Sequence, residues 1–213
     1  MNPLEFAGEV ILVSASGVLS PGPLFFTNII YGSKQGVTAG IKIAFGHTIV
    51  EFPLVIALAL GLFTFSHVFA NNENLKIISI VGGIAIVVFA FTQIISITKG
   101  KVNRQNACVG IGAKKGPILL GVIFSALNPF FLIWWLTVGI KLISDSIQFF
   151  GFAIGILFLF LFHIWMDYAW LALTSYLIYR GVSVLKTKFY SASLISISTI
   201  LVFYGVYIIL NIF

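Results

Sequence analysis

The chain has 213 residues, of which 60% are hydrophobic, 15% aromatic and only 8% charged, and its mean hydropathy is +1.11. These values exclude a water-soluble globular domain and define an integral membrane protein. The net charge of +6 sits in the segments between apolar runs and is a matter of membrane topology, with no nucleic acid partner needed to explain it.

A hydrocarbon core of about 30 Å takes about 20 helical residues to cross. Six runs of that kind lie near residues 6–32, 38–66, 76–98, 117–141, 147–178 and 189–212. Continuous apolar runs favour helices over a membrane barrel, because each segment must satisfy its own backbone in lipid. The sequence therefore predicts an all-α membrane protein of six transmembrane helices. The first run follows Glu5 and Glu9 where a secretory signal carries lysines, and no small-residue cleavage site follows, so it reads as a retained span. Glu9 falls at its outer end and is expected at the interface.

Inside this first span, Ser20-Pro21-Gly22-Pro23 interrupts a stretch with no formal charge from Val10 to Ser33. Pro21 and Pro23 lack N–H groups and are expected to free the carbonyls of Gly17 and Leu19, while Gly22 relaxes the backbone. Broken helices at membrane depth are tolerated where protein or a water-filled cavity covers them. The half-helix that starts there would point its N-terminus at an anion such as a substrate carboxylate. The second span carries His47 and Glu51, four residues apart on one helix face. Glycines 32, 36 and 40 precede this pair at helical spacing and allow close backbone approach.

The third run has no formal charge from Ile77 to Thr98 and leads into a basic stretch with Lys99, Lys101, Arg104, Lys114 and Lys115. Cys108, the single cysteine, lies in this stretch, so one chain can hold no disulfide framework. The fourth run contains Ser125-Ala126-Leu127-Asn128-Pro129; Pro129 is expected to free the carbonyl of Ser125, and Asn128 adds an amide able to donate and accept. The fifth carries His163 and Asp167, again four apart, after Gly151 and Gly155. Trp134, Trp135, Trp165 and Trp170 sit well inside their runs and suit pocket lining, helix packing or interface anchoring. His67 and Glu73 belong to a polar connection and read as solvated.

Each set of three spans thus opens with a proline-broken helix and places an acid–histidine pair in its middle helix. Three spans is an odd number, so the second set enters from the opposite face: two inverted three-helix repeats, about 4–98 and 117–213, joined by a basic loop of about 99–116 within one membrane domain. Ten of the twelve Lys and Arg residues fall in alternate connections, with Lys76 and Lys141 in the others. The positive-inside tendency puts the basic loop in the cytoplasm and both termini outside, in a multi-pass protein of the cell membrane.

A carboxylate in hydrocarbon costs at least about 2.5 kcal/mol even on lenient insertion scales, so Glu51 and Asp167 are candidate functional groups. Desolvation favours the neutral form of acid and imidazole alike, which lets His47–Glu51 and His163–Asp167 load and release protons. Candidate substrate-binding residues are Ser20, Pro21, Gly22, Pro23, Ser125, Asn128 and Pro129; candidate proton-coupling residues are Glu51, Asp167, His47 and His163.

The chain resembles the lysine exporter (LysE) superfamily of small six-span amino-acid translocators, through "SPGP" at 20–23, "YGSKQGVTAGIKIAFGH" at 31–47 and "GVIFSALNPFFLIWW" at 121–135. The resemblance spans essentially the whole length. Phe130 stands where the family typically has Lys after Asn-Pro, and His47 follows Gly46 where many members have an acid, so lysine itself is not implied. The resemblance implies a secondary transporter that exports an amino acid or similar zwitterion in exchange for protons. Its partners are then a small-molecule substrate, protons and the lipid bilayer, with a homodimer as an open assembly state. No cofactor, resident metal or nucleotide-binding loop is indicated. Two alternatives stay open: a divalent-cation exporter of the same superfamily, and an intramembrane metal-dependent hydrolase using the two acid–histidine pairs, against which stands the lack of His-Glu-x-x-His and Gly-x-Ser-x-Gly.

Overall fold

The structure is a computed structural model and describes residues 3–64, 72–98, 116–184 and 188–210. Among these every regular element is helical. In chain order they are α1 (Pro3–Val18), α2 (Pro23–Gln35), α3 (Val37–Thr64), α4 (Asn72–Thr98), α5 (Pro117–Ala126), α6 (Pro129–Phe150), α7 (Phe152–Tyr179) and α8 (Lys188–Leu210). Within α6, Trp135–Gly139 forms one π-helical turn.

Four helical stretches among the described residues are long and apolar enough to cross a membrane: Val37–Leu62, Pro129–Phe150, Phe152–Tyr179 and Ser191–Leu210. A fifth results if α1 and α2, bent by 72° at their junction, are taken as one broken span. The run at 76–98 falls on α4, in which Ile80–Ile95 is an apolar stretch among the described residues. The predicted run 117–141 requires correction. The chain breaks at Leu127–Asn128 and the long apolar helix is Pro129–Phe150, because Asn128 caps a new helix by accepting the Phe130 N–H at 3.1 Å. Cys108, His67 and the basic stretch from Lys99 to Lys115 lie outside the described residues, as does the Glu73 side chain.

Both breaks are closed differently from the simple proline expectation. The Gly17 carbonyl is not released; it accepts the Ser20 N–H at 3.1 Å, and the Ser125 carbonyl accepts the Asn128 N–H at 3.1 Å. In each case the chain tightens to a three-residue bond as it leaves the helix. The carbonyl that loses its helical partner is that of Ser16, one residue earlier. Gln93 of α4 fills the gap, donating to it at 2.5 Å while accepting from Ser198 of α8 at 2.8 Å. One buried amide thus ties the bend to two other helices.

The glycines following α2 and α6 take φ of 58° at Gly36 and 75° at Gly151, where side chains are strained, and allow α3 and α7 to start within one residue. α3 packs along α7, α4 along α8, and α5 against α3. Asn28, fully buried on α2, bonds the Leu171 carbonyl, Thr174 and Ser175, fixing α2 to α7 with its amide satisfied.

The main core gathers Phe6, Val10 and Val13 of α1 with Val55 and Ala59 of α3, Leu142 and Ile143 of α6, Leu159 and Phe160 of α7 and Leu201 of α8. By position along each helix these occupy the end of the bundle where α1 begins and α3 finishes. Lys141 is at that end too, but not in a connection as its sequence position predicted. It lies within α6, only 9% exposed, with its ammonium 3.3 Å from Glu9 and bonded to Asp145 one turn on. Glu9 is correspondingly not interfacial: its side chain is 8% exposed and also accepts from the Tyr204 hydroxyl. Charge pairing across α1, α6 and α8 explains how these groups stay inside.

Candidate functional site

Between the two breaks lies a cavity of about 250 Å³. Ser20, Pro21, Gly22, Pro23, Ser125 and Asn128 line it, together with His47, Glu51, His163 and Asp167. Ten of the eleven sequence-derived candidates therefore meet at one place; the eleventh, Pro129, is exposed and acts only by ending the preceding helix. A β-carbon on Gly22 would sit 3.7 Å from the Asn128 Nδ2, which measures how closely the breaks approach.

The two acid–histidine pairs merge into one cluster. His47 Nε2 is 3.2 Å from Glu51 Oε1 and 3.9 Å from Asp167 Oδ1. His163 Nε2 is 3.5 Å from Asp167 Oδ2 on its own helix and closer, 3.0 Å, to Glu51 Oε1 on α3. Each imidazole is held from behind by a serine on another helix: His47 Nδ1 lies 2.7 Å from Ser125 Oγ of α5, and His163 Nδ1 lies 2.7 Å from Ser14 Oγ of α1. The residues 47 and 14 precede the basic loop and 125 and 163 follow it, so the bonds run reciprocally between the two parts of the chain.

Proton placement follows from counting donors. The Ser125 hydroxyl lies 2.6 Å from the Gly121 carbonyl, which can only accept. The single hydroxyl hydrogen must go there, so His47 donates its Nδ1–H to Ser125. The Nε2 of a neutral His47 is then a lone pair facing a carboxylate oxygen at 3.2 Å. That contact is attractive only with a proton on one of the two groups, or with another cation between them. Ser125, counted from sequence as a substrate residue, thus spends its hydroxyl on orienting His47.

Glu51 is 1% exposed and Asp167 5%. Glu51 Oε1 also accepts from the Trp135 indole at 3.1 Å. Trp135 reaches it from the π turn; its ring lies over Gly139, where any β-carbon would collide with the indole. Glu51 Oε2 and Asp167 Oδ2 are buried without a hydrogen-bond partner, a costly state for native carboxylates that marks a place for an arriving donor. The cavity wall includes no Lys or Arg among the described residues. Its apolar side is aromatic: Phe25 stacks on Trp170 at 6.0 Å, and Phe131 meets His47 edge-on at 5.0 Å. Trp134 and Trp135 are buried and Trp165 is 50% exposed, so the tryptophans divide between cavity and surface.

Ser14, Trp134 and Trp135 were not singled out as site residues from sequence. Their partners lie 149 positions away for Ser14 and 84 for Trp135, and no local spacing reports such contacts.

Membrane-length apolar helices surrounding a largely apolar cavity, with a buried polar cluster on its wall and a helix break at each side, define a multi-pass membrane translocator. The chain belongs to the LysE type translocator family, whose model matches residues 15–211. Comparison with curated proteins and with solved structures gave no match. Family membership makes the protein a transporter of small molecules in a membrane.

Proposed function

We propose that the protein is a secondary transporter that exports an amino acid or related small zwitterion in exchange for protons. The observation that carries this reading is the buried cluster of Glu51, Asp167, His47 and His163 on the cavity wall, with two carboxylate oxygens unpartnered. A substrate ammonium is the donor these oxygens lack, and the uncapped start of α2 at Gly22–Pro23 offers the positive end of a helix to its carboxylate. Protons held between His47 and Glu51 give the site a second cation to exchange.

Two inverted repeats, about 4–98 and 117–213, account for the reciprocal serine–histidine bonds and for the positive-φ glycines at 36 and 151. With the basic loop in the cytoplasm, both termini lie outside the cell membrane.

The test replaces each acid by its amide in protein reconstituted into vesicles. Glu51→Gln and Asp167→Asn keep shape and hydrogen-bonding capacity but not titration. Proton-driven transport is expected to fall at least tenfold in one or both, and by a larger factor than counterflow of substrate, because the amide keeps an acceptor for the ammonium but cannot titrate. Undiminished pH-driven transport in both correctly inserted variants would remove these carboxylates from the mechanism.

A second reading has its own observation. His47, Glu51 and Asp167 bring one ligand-type atom each within 4.8 Å of one another, a nitrogen and oxygen set suited to a divalent transition metal as cargo. Equilibrium dialysis with Zn²⁺ and Mn²⁺ separates the two: stoichiometric binding lost in Glu51→Gln favours the metal, and its absence favours the amino acid.

A further inference from the structure

We propose that the Trp134 indole N–H recognises the substrate's carboxylate, and that the substrate is an α-amino acid with an uncharged, apolar side chain. This rests on the amino-acid reading above and deepens it.

Trp134 is 5% exposed, lines the cavity, and its Nε1 is a buried donor without a partner. An indole nitrogen can only donate, and a buried N–H left unpaired in a native fold calls for an acceptor that comes and goes. The ring lies between the two polar features of the site. On one side it packs against His163, ring centroids 5.7 Å apart, and His163 Nε2 is 3.0 Å from Glu51. On the other, Nε1 is 3.6 Å from the point a β-carbon on Gly17 would occupy, at the end of α1 beside the first break.

The orphaned groups therefore divide by sign. Acceptors, Glu51 Oε2 and Asp167 Oδ2, and a donor, Trp134 Nε1, share the wall of one cavity, to which Asn128 adds its amide opposite Gly22. In an α-amino acid the ammonium nitrogen and carboxyl carbon sit on one carbon, about 2.5 Å apart from standard bond lengths. The cavity wall offers the complement of each group, acceptors for the ammonium and a donor for the carboxylate. Neither an amine nor an acid alone satisfies both sets.

The remaining wall decides the side chain. Phe25, Phe89, Phe131, Trp170 and Leu194 supply its apolar groups. Of the polar side chains beside them, Thr92 donates its hydroxyl to the Phe89 carbonyl and Gln93 has its amide committed to Ser16 and Ser198. A second ammonium or carboxylate would be buried there without a partner. The volume of about 250 Å³ lies just below the roughly 300–1,000 Å³ of sites for drug-sized ligands, which suits a single amino acid.

The experiment uses the full-length protein in proteoliposomes. Counterflow is measured with radiolabelled L-leucine and L-lysine, and leucine counterflow is then competed with 3-methylbutylamine, which lacks the carboxylate, and 4-methylpentanoate, which lacks the ammonium. Leucine is expected to move and lysine not. Unlabelled leucine should compete at least tenfold better than either truncated analogue. Trp134→Phe keeps an aromatic ring but removes the N–H; it should narrow the leucine-to-amine gap to under threefold by weakening leucine while the amine is unchanged.

An unaltered ratio in Trp134→Phe overturns the role of Trp134. An amine that competes as well as leucine in the unmodified protein overturns it too, whether or not the variant inserts. Lysine moved in preference to leucine overturns the uncharged side chain but leaves amino-acid transport standing. Transport of none of the twenty amino acids would fail the underlying reading itself, and the present inference with it.

Discussion

Two clusters of buried charge occupy this molecule, and they are built on opposite rules. Glu9, Lys141, Asp145 and Tyr204 contain their own cation, and no buried polar atom among them lacks a partner. His47, Glu51, His163 and Asp167 line the cavity with no Lys or Arg among its described lining residues and with two carboxylate oxygens lacking a hydrogen-bond partner. The first stands at the end of the bundle filled by the aromatic and aliphatic core, the second where that core gives way to open volume. A closed set of charges holds helices together; an open set waits for something to complete it.

The largest effect that would test this contrast is on stability. Lys141→Met removes the cation from the closed cluster and leaves Glu9 and Asp145 facing each other inside. Breaking a buried pair costs about 3–5 kcal/mol, which for a chain of this size lowers the apparent Tm by on the order of 10 °C. Thermal unfolding in detergent should show that drop in Lys141→Met and a shift within about 3 °C in Glu51→Gln. Equal shifts would erase the distinction between the clusters.

An intermediate effect is expected at Trp135, which connects the core to the open cluster. Trp135→Phe deletes the N–H that Glu51 Oε1 accepts, and a hydrogen bond to a charged group contributes about 1.5–3 kcal/mol. Proton-driven transport should fall by about tenfold or more, with a Tm decrease smaller than that of Lys141→Met. A variant with full activity would show that the cluster does not need this donor.

The smallest effects sharpen the comparison within the open cluster. Ser14→Ala and Ser125→Ala each remove a neutral hydrogen bond behind a histidine, about 0.5–1.5 kcal/mol, so each should slow pH-driven transport by roughly twofold to tenfold. If the two parts of the chain are equivalent, the two losses should match within about threefold. A large loss in one and none in the other would mean that a single histidine does the work.

Much of the site was legible because its signals are local. Proline within an apolar run, and a histidine four residues before an acid, report directly on one helix. The run lengths likewise marked four or five of the six expected spans among the described residues. What was hidden depends on pairing between distant positions. Lys141 looked like a loop cation because only the fold brings Glu9, 132 positions away, and Tyr204, 195 positions from Glu9, to its side. The shift of the fourth helix to Pro129–Phe150 was hidden by hydrophobicity that runs on both sides of Asn128 without a step. Trp134 stood out only as one of four tryptophans suited equally to pocket lining, packing or anchoring, since an indole N–H left unpaired is a property of surroundings and not of sequence.

The amide of Gln93 has a consequence for the time course of any motion at the first break. It holds the Ser16 carbonyl that the bend released, and Ser198 holds it in turn. Straightening α1 into α2 would hand that carbonyl back to the Ser20 N–H and leave the Gln93 NH₂ stranded. Any such straightening would thus exchange one hydrogen-bonding register for another in a single step, as a click-stop and not as a spring. Such a step is a discrete event of the microsecond-to-millisecond class, which relaxation dispersion on the Gln93 side-chain amide would record as a single exchange process shared with the backbone N–H of Ser20.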